Sequence, residues 1–396
     1  MLSKPISVTL ALGTDSYQQG LPAALLRRAV LCRVLRFGPD LEILDPNATG
    51  SLEMVKRLPA YGMTNRILWG IWRRLPGTGY SQLPRIASTW LADRLASKYV
   101  PPASVFHGRV GICLACLRVA KRQGAMTVME NPTLHLQQWQ DEVITDCRLF
   151  GINPHYADAL LPLPLIRRAR SEYEECDRIL VLSSVARQSF ERFDLAAKVV
   201  VTWPGVDHVF FTPAPKPSPP RLFRACYVGR VEVAKGVGYL LKAWEQLRLH
   251  EAELLLVGDV RPEMESLLRN YAREDVRATG ALPPQQVADH YRESSVLVHP
   301  SANEGFGLVL LEAMAAGLPV IASERSGARD CVTEGKDGFL VPARNVDALA
   351  ERILWCYEHP DETMTMGRAA RAKIEERFTL SHYEERQVAM YRSLVT

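Results

Sequence analysis

From Arg224 onward the chain alternates between short apolar runs and longer stretches whose apolar residues recur every three or four positions. The runs are RACYVG, AELLLVG, VRATG, SVLVHP and LPVIAS. A short run that is apolar throughout fits a strand covered on both faces of a parallel sheet. Between the runs lie VGYLLKAWEQLRL, RPEMESLLRNYARE, PPQQVADHYRES and GLVLLEAMAAG, which read as helices. This alternation predicts a doubly wound, Rossmann-like α/β domain over residues 206–380. The first half alternates less regularly. ISVTLAL, LEILDP, SVFHG, AMTVMEN, RILVLSS and KVVVTWPG are its strand candidates, with helices between them. They make residues 1–205 a second Rossmann-like domain, and two such domains in tandem face each other across a cleft. The segment TPAPKPSPP, Thr212 to Pro220, has five prolines in nine residues and can be neither helix nor central strand. It reads as a stiff connector. The tail LSHYEERQVAMYRSLV is amphipathic with no strand after it, so residues 381–396 are expected to pack back on the first domain as a helix.

Composition narrows the class. With 396 residues, 47% hydrophobic and 23% charged, the chain has material for two soluble cores. No apolar run approaches the roughly 20 residues that span a bilayer. The start, ISVTLALG, reads as a first buried strand rather than a signal peptide. The eight cysteines show no disulfide framework. Cys113 and Cys116 form a lone C-x-x-C inside GICLACLRVA, which reads as a buried helix, and no second pair completes a metal site. A reducing cytoplasm is the simplest setting. Charge is uneven: residues 1–205 carry 25 Lys/Arg against 17 Asp/Glu, and residues 206–396 carry 23 against 27. An anionic partner would favour the first half.

The stretch SANEGFGLVLLEAMAAGLPVIAS, Ser301 to Ser323, carries the most chemistry. It follows the strand run SVLVHP, and ligands of a doubly wound sheet bind at the carboxyl ends of its strands. The helix begins near Gly307. Its first N–H groups lack partners and carry the positive end of the helix dipole, which suits a phosphate, and the glycines let an anion approach the backbone. Glu312, five residues beyond Gly307, lies about 7–8 Å further along the axis. There it is placed for sugar hydroxyls, as acidic residues are for a ribose. Glu304, in the turn, reaches the other side of the same phosphates. Two carboxylates around an anion-binding turn fit a nucleotide sugar. Arg230 and Lys235 follow the strand that ends at Gly229, and both cations stand at the mouth of the same cleft.

The pattern E-G-F-G-x-x-x-x-E-A-M-A-x-G-x-P-V-I, Glu304 to Ile321, resembles that of the family-4 retaining glycosyltransferases of the GT-B fold. YVGRVEVAKG is similar to a second motif of that family, in which Arg230 and Lys235 match the residues that grip the donor pyrophosphate. SGARDCVTEGKDGFLV resembles its G-G-x-x-E loop and following hairpin, with Ser326 for the first glycine and Asp330 for the glutamate. TWPGVDHVFFTP resembles its N-G-V-D hinge, with Pro204 for the asparagine. Residues 201–396 carry the resemblance strongly, the first domain only in outline. It implies that Arg230, Lys235, Glu304 and His107 are catalytic, His107 matching a histidine that faces the donor sugar. It implies further that Gly20, Gly229, Gly305, Phe306, Gly307, Leu308 and Glu312 bind substrate, Gly20 in a loop where Gln19 replaces the first of two glycines. Glu130 and Asn131 close another strand on the cleft side, toward the acceptor.

The activity so implied is metal-independent and cofactor-free. A hexose-type sugar moves with retention from a UDP- or GDP-linked donor to a glycan or lipid-linked acceptor, in cell-envelope or exopolysaccharide biosynthesis. The sequence has no D-x-D and no His cluster at a strand end, and Glu304 and Glu312 do not read as a glycosidase pair. A nucleotide-sugar 2-epimerase of the same fold and a non-catalytic nucleotide-sugar-binding module stand as alternatives. Residues 51–100 add eight Lys/Arg against two acids, with Trp69, Trp72 and Trp90 interleaved. Either this stretch lies on an anionic lipid surface at the inner membrane face, or it is a solvated basic face of a packed helix. No nucleic-acid recognition motif accompanies the charge.

Overall fold

The computed structural model describes residues 6–12, 25, 31–37, 41–44, 54–58, 83–154, 160–214, 222–271 and 273–395. Two sheets organise them. The first contains β1 (Val8–Leu12), β2 (Leu31–Phe37), β3 (Leu41–Leu44), β4 (Met54–Leu58), β5 (Val105–Arg109), β6 (Met126–Asn131), β7 (Arg178–Val181) and β8 (Val199–Val201). Its order is β4-β3-β2-β1-β5-β6-β7-β8. The six strands from β2 to β8 run parallel, while β3 and β4 join antiparallel at the edge. The second contains β9 (Phe223–Val228), β10 (Ala252–Val257), β11 (Val276–Gly280), β12 (Val296–His299), β13 (Val320–Ser323) and β14 (Gly338–Val341), all parallel. Its order is β11-β10-β9-β12-β13-β14, which turns back between β9 and β12. A crevice opens at such a reversal, beyond the carboxyl ends of the two strands.

The strand runs of the second half all became strands: each residue of β12 and β13 is buried, as in a sheet covered on both faces, while the edge strand β11 is half-buried to exposed. Three strands escaped the pattern. The β2 run LCRVLRF carries Arg33 and Arg36 among its apolar residues, and the Arg33 guanidinium is accommodated by the carbonyl of Tyr99 at 2.9 Å. The β4 run MVKRL carries two adjacent cations on an edge strand. The β14 run GFLV sits in the segment expected to be a hairpin and pairs with β13 in parallel instead. Residues 215–220 of the proline connector lie outside the described residues, as do residues 59–82 of the basic stretch.

Two helices cross between the sheets. Leu136–Leu149 belongs to the first half by sequence, yet Val143 and Cys147 are fully buried in one cluster with Val237, Leu240 and Trp244. Its polar side is tied across as well. Glu142 meets Arg325 at 2.6 Å and Arg344 at 2.7 Å, and Asp146 accepts from Arg344 and from the Tyr239 hydroxyl, each at 2.7 Å. Burial would raise the Glu142 carboxyl, but Arg344 and Arg325 hold it below its ordinary range. The last helix, Leu380–Val395, puts Tyr383, Val388, Met390 and Tyr391 into one cluster with Val8, Leu10, Val105 and Leu180. Val143→Ala should therefore destabilise the chain by about 2 kcal/mol, the scale of a small core truncation. Chemical denaturation with no loss of midpoint would place this helix outside the core.

Candidate functional site

The carboxyl ends of β9 and β12 meet the turn Asn303–Gly307. Every residue of this turn is fixed by a different group. The Asn303 amide donates to the carbonyl of Trp139 at 2.7 Å. The carboxylate of Glu304 pairs with the Lys235 ammonium. Gly305 lies on the backbone of Pro132, whose carbonyl oxygen would stand 1.9 Å from any Cβ added there. Its own carbonyl accepts from the Ser183 hydroxyl. Phe306 is 1% exposed, and its carbonyl accepts from Gly327 at 2.9 Å. Gly307 takes φ +87° as N-cap of the helix Leu308–Ala315, and a Cβ there would come within 2.8 Å of His299 Nε2. A side chain is thus excluded at both glycines by space, and at Gly307 by conformation too.

What the turn leaves open is its row of N–H groups. Among the described residues nothing accepts from the amides of Gly307 and Leu308, the first of the helix. They carry the positive end of the helix dipole. Lys235 ends the one-turn 3-10 helix Val233–Lys235 after β9, and its ammonium reaches the same place through Glu304. Arg230 follows Gly229, is 58% exposed at its side chain, and meets Glu232 at 3.1 Å. Tyr227 holds the Arg230 carbonyl at 2.7 Å, which fixes the backbone while the guanidinium stays accessible. Arg230, Lys235, Glu304, Gly229, Gly305, Phe306, Gly307 and Leu308 therefore collect at one strand-end crevice. A cavity of about 1000 Å³ opens elsewhere, by Phe223, Ser295 and Pro319 at the amino ends of the same sheet, away from the turn.

The two glutamates differ in state. Burial pushes the Glu304 carboxyl up, but Lys235, His299 and the Gly305 N–H outweigh it and hold it below its ordinary value. Burial wins at Glu312, whose carboxyl is raised although the Tyr291 hydroxyl donates to it at 3.0 Å. Its Oε1 takes no hydrogen bond from a described residue. The pair thus holds one firmly ionised carboxylate beside the turn and one acceptor further along the helix.

Not every expected residue joins them. His107 is 0% exposed inside β5, with Nδ1 2.5 Å from the Tyr391 hydroxyl and Nε2 3.1 Å from Glu130. This corrects its expected place facing a donor: Nδ1 ties the ring to the last helix and Nε2 ties it to Glu130 of the neighbouring strand β6. Glu130 and Asn131 are equally buried, and Asn131 is used up by Thr133, Leu134 and Tyr173 at 2.7 to 3.0 Å. Gly20 lies outside the described residues. Cys113 and Cys116 are fully buried, and burial with nearby Asp93 pushes both thiols well up, away from redox use.

Three residues at the site went unremarked in the sequence: His299, Ser183 and Asn303. A signal existed for the first two, since each is a polar residue at the carboxyl end of a buried strand. His299 is 2% exposed, neither ring nitrogen has a hydrogen-bond partner among the described residues, and Nε2 lies 3.8 Å from Glu304. Burial pushes its imidazole down to about 4.

The model of the family described as glycosyl transferases group 1 matches residues 223–359. A D-inositol 3-phosphate glycosyltransferase of Kribbella flavida is 33% identical over 245 residues, 55% of this chain and 57% of that one. A putative colanic acid biosynthesis glycosyltransferase of Escherichia coli K12, WcaL, is 30% identical over 193 residues, 46% and 48% of the two. The chain spans about half the length of the curated relatives it matches. The crystal structure of Anabaena HepE in complex with UDP-glucose superposes with a TM-score of 0.63 at 18% identity, over 98% of this chain and 99% of that one. Two parallel-sheet α/β units in this arrangement are the GT-B fold.

Acid should act on His299. The unfolded chain protonates it near its ordinary 6.5, the folded chain only near 4, so stability present above pH 6.5 is lost as pH falls toward 4. The loss from this residue is at most about 3 kcal/mol. His135, also held down at about 4 by burial, adds to the same slope. Between pH 7 and 5, His299→Gln should lose visibly less unfolding free energy than the wild type. Equal slopes would place the protonation elsewhere.

Proposed function

We propose that this chain, whose residues 223–359 belong to the glycosyl transferases group 1, transfers a hexose-type sugar from a nucleoside diphosphate sugar to a glycan or lipid-linked acceptor. The observation that carries the reading is the turn Asn303–Gly307. It presents helix N–H groups, the Lys235 ammonium and the Glu304 carboxylate to one space at the switch point of the second sheet. The diphosphate binds on the N–H groups of Gly307 and Leu308. Arg230 and Lys235 meet the charge that grows on it as the anomeric carbon–oxygen bond breaks, so they act more strongly in the transition state than before it. Glu312 accepts from the ribose hydroxyls and Glu304 from the sugar.

The acceptor oxygen attacks on the face the diphosphate leaves, and configuration is retained. The bond to the acceptor forms as the bond to the diphosphate breaks, and the acceptor proton departs with the nucleoside diphosphate. No metal ion takes part in this reading, because cations and helix N–H groups supply the countercharge. Three facts support it: the motif residues converge, HepE holds UDP-glucose in the same fold, and WcaL is named for colanic acid biosynthesis. The last also favours an acceptor in cell-envelope or exopolysaccharide assembly, made on the cytoplasmic side. An epimerase or a binding module would use the same turn without passing the sugar to an acceptor. Incubation with UDP- and GDP-sugars, followed by proton NMR of the anomeric centre, separates these outcomes.

Arg230→Ala and Lys235→Ala should each lower turnover by roughly 10²–10³-fold, the scale for losing one preorganised charge donor, with folding little changed. Near-normal turnover in either variant removes it from the machinery. Glu312→Ala should weaken both UDP and UDP-sugar, whereas Glu304→Ala should spare UDP and damage use of the sugar. Calorimetry giving the reverse pattern contradicts the division.

The basic stretch 51–100 places the first domain on anionic membrane in the same proposal. Among the described residues no helix is long and apolar enough to cross a membrane, so such contact would be peripheral. Each cation adds on the order of 1 kcal/mol near an anionic surface, screened by salt. Cosedimentation should require anionic lipid and fade in high salt. Binding indifferent to lipid charge returns the stretch to a solvated face.

A further inference from the structure

We infer that Ser183, a residue of the first domain, is a positioning residue for the phosphate-binding turn of the second. The inference rests on the reading of that turn given above. Ser183 is fully buried at the carboxyl end of β7, 122 positions from Gly305 in the chain, and its hydroxyl donates to the Gly305 carbonyl. As N-cap of the helix Ser184–Gln188 it already accepts from the Ala186 N–H at 3.0 Å. A cap requires only that acceptor. The hydroxyl proton is additional, and it is spent on another domain.

Its consequence follows from peptide geometry. A trans peptide is planar, with C=O and N–H on opposite sides, so fixing the Gly305 oxygen fixes the direction of the Phe306 N–H. That N–H stands at the head of the row that continues through Gly307 and Leu308. The oxygen of Phe306 is fixed in turn by the Gly327 N–H at 2.9 Å. Gly327 caps the short helix Ala328–Cys331, whose Asp330 carboxylate accepts from the Ser184 N–H at 2.7 Å. The path returns to its start: two adjacent serines of the first domain hold the turn by one arm and the helix behind it by the other.

Gly305 shows that the seat is close. Its Cα rests on Pro132 and Thr133 of the first domain, where a Cβ would stand 1.9 Å and 2.6 Å from their backbone atoms. The amide row is therefore set in direction only while the two domains are engaged at Ser183. Donor binding in the second domain is coupled to the position of the first, and the Ser183 hydroxyl is the tie that sets the direction of the amide row.

The test uses the full chain and three variants. Ser183→Thr keeps donor and cap. Ser183→Ala loses both, and Ser183→Gly loses the donor while leaving a tolerated N-cap. Hydrogen exchange is read on the peptides covering residues 184–190 and 303–309 without ligand, and UDP, GDP and inorganic pyrophosphate are then titrated in. Positioning predicts that alanine and glycine speed exchange in 303–309 and weaken the bound probe, each about tenfold, while threonine restores both. A merely structural serine would fray 184–190 in the alanine variant alone. Exchange in 303–309 and probe affinity within twofold of wild type in the glycine variant overturn the inference. If the wild type binds none of the three probes, the donor reading falls, and the exchange comparison still decides Ser183.

Discussion

The contact between Gly305 and the backbone of Pro132 is the constraint on which the site depends. Two domains meet there with no room for a single added carbon. Because the space is so small, the turn cannot shift without moving the first domain, and the first domain cannot close further without displacing the turn. The surrounding bonds serve this contact. Asn303, Glu304 and Phe306 each hold one residue of the turn, and the helix Leu136–Leu149 keeps the two units in register through Glu142, Asp146, Arg325 and Arg344.

In the proposed reading, electrostatics suits the turn to a diphosphate. The strongest pair at its mouth, Lys235 with Glu304, is half a binding site. Each partner satisfies the other while no ligand is present, and neither can serve a diphosphate and a sugar without letting go. The pair is largely buried, with the two side chains 24% and 14% exposed, so a diphosphate must offer Lys235 a better partner than Glu304 before the pair opens. Arg230 is more exposed, and among the described residues it pairs with Glu232. The helix N–H groups alone need no rearrangement. In the same proposed reading, an incoming diphosphate has one fixed receptor, the amide row, and two movable ones, the cations.

Much of this was legible beforehand, and the gaps have physical causes. All strands of the second sheet but β14 could be read from the alternation, and GT-B came from the resemblance that the motifs of residues 201–396 carry. In the first sheet, β2 and β4 were hidden because their arginines and lysine break the apolar run. The turn of the second domain stood out in the sequence because Gly305, Gly307 and Glu304 are odd choices for a plain helix start. His107 was misplaced for a related reason: sequence shows a polar residue near a strand end but not which way it faces. Inside β5 it turns to Tyr391, 284 positions away, and only the last helix could reveal that. Ser183 could be marked as a polar residue after a buried strand, but a serine there announces a cap and gives no sign that its proton goes to a turn 122 positions on.

The central claim is that the amide row at Gly307 and Leu308 receives a diphosphate while Lys235 leaves Glu304 to meet it. A crystal structure with UDP tests this directly. The account predicts the β-phosphate within hydrogen-bond distance of those two N–H groups, the Lys235 ammonium on a phosphate oxygen, and Glu304 released toward the sugar side. UDP seated away from the turn, or on it with the Lys235–Glu304 pair intact, would contradict it.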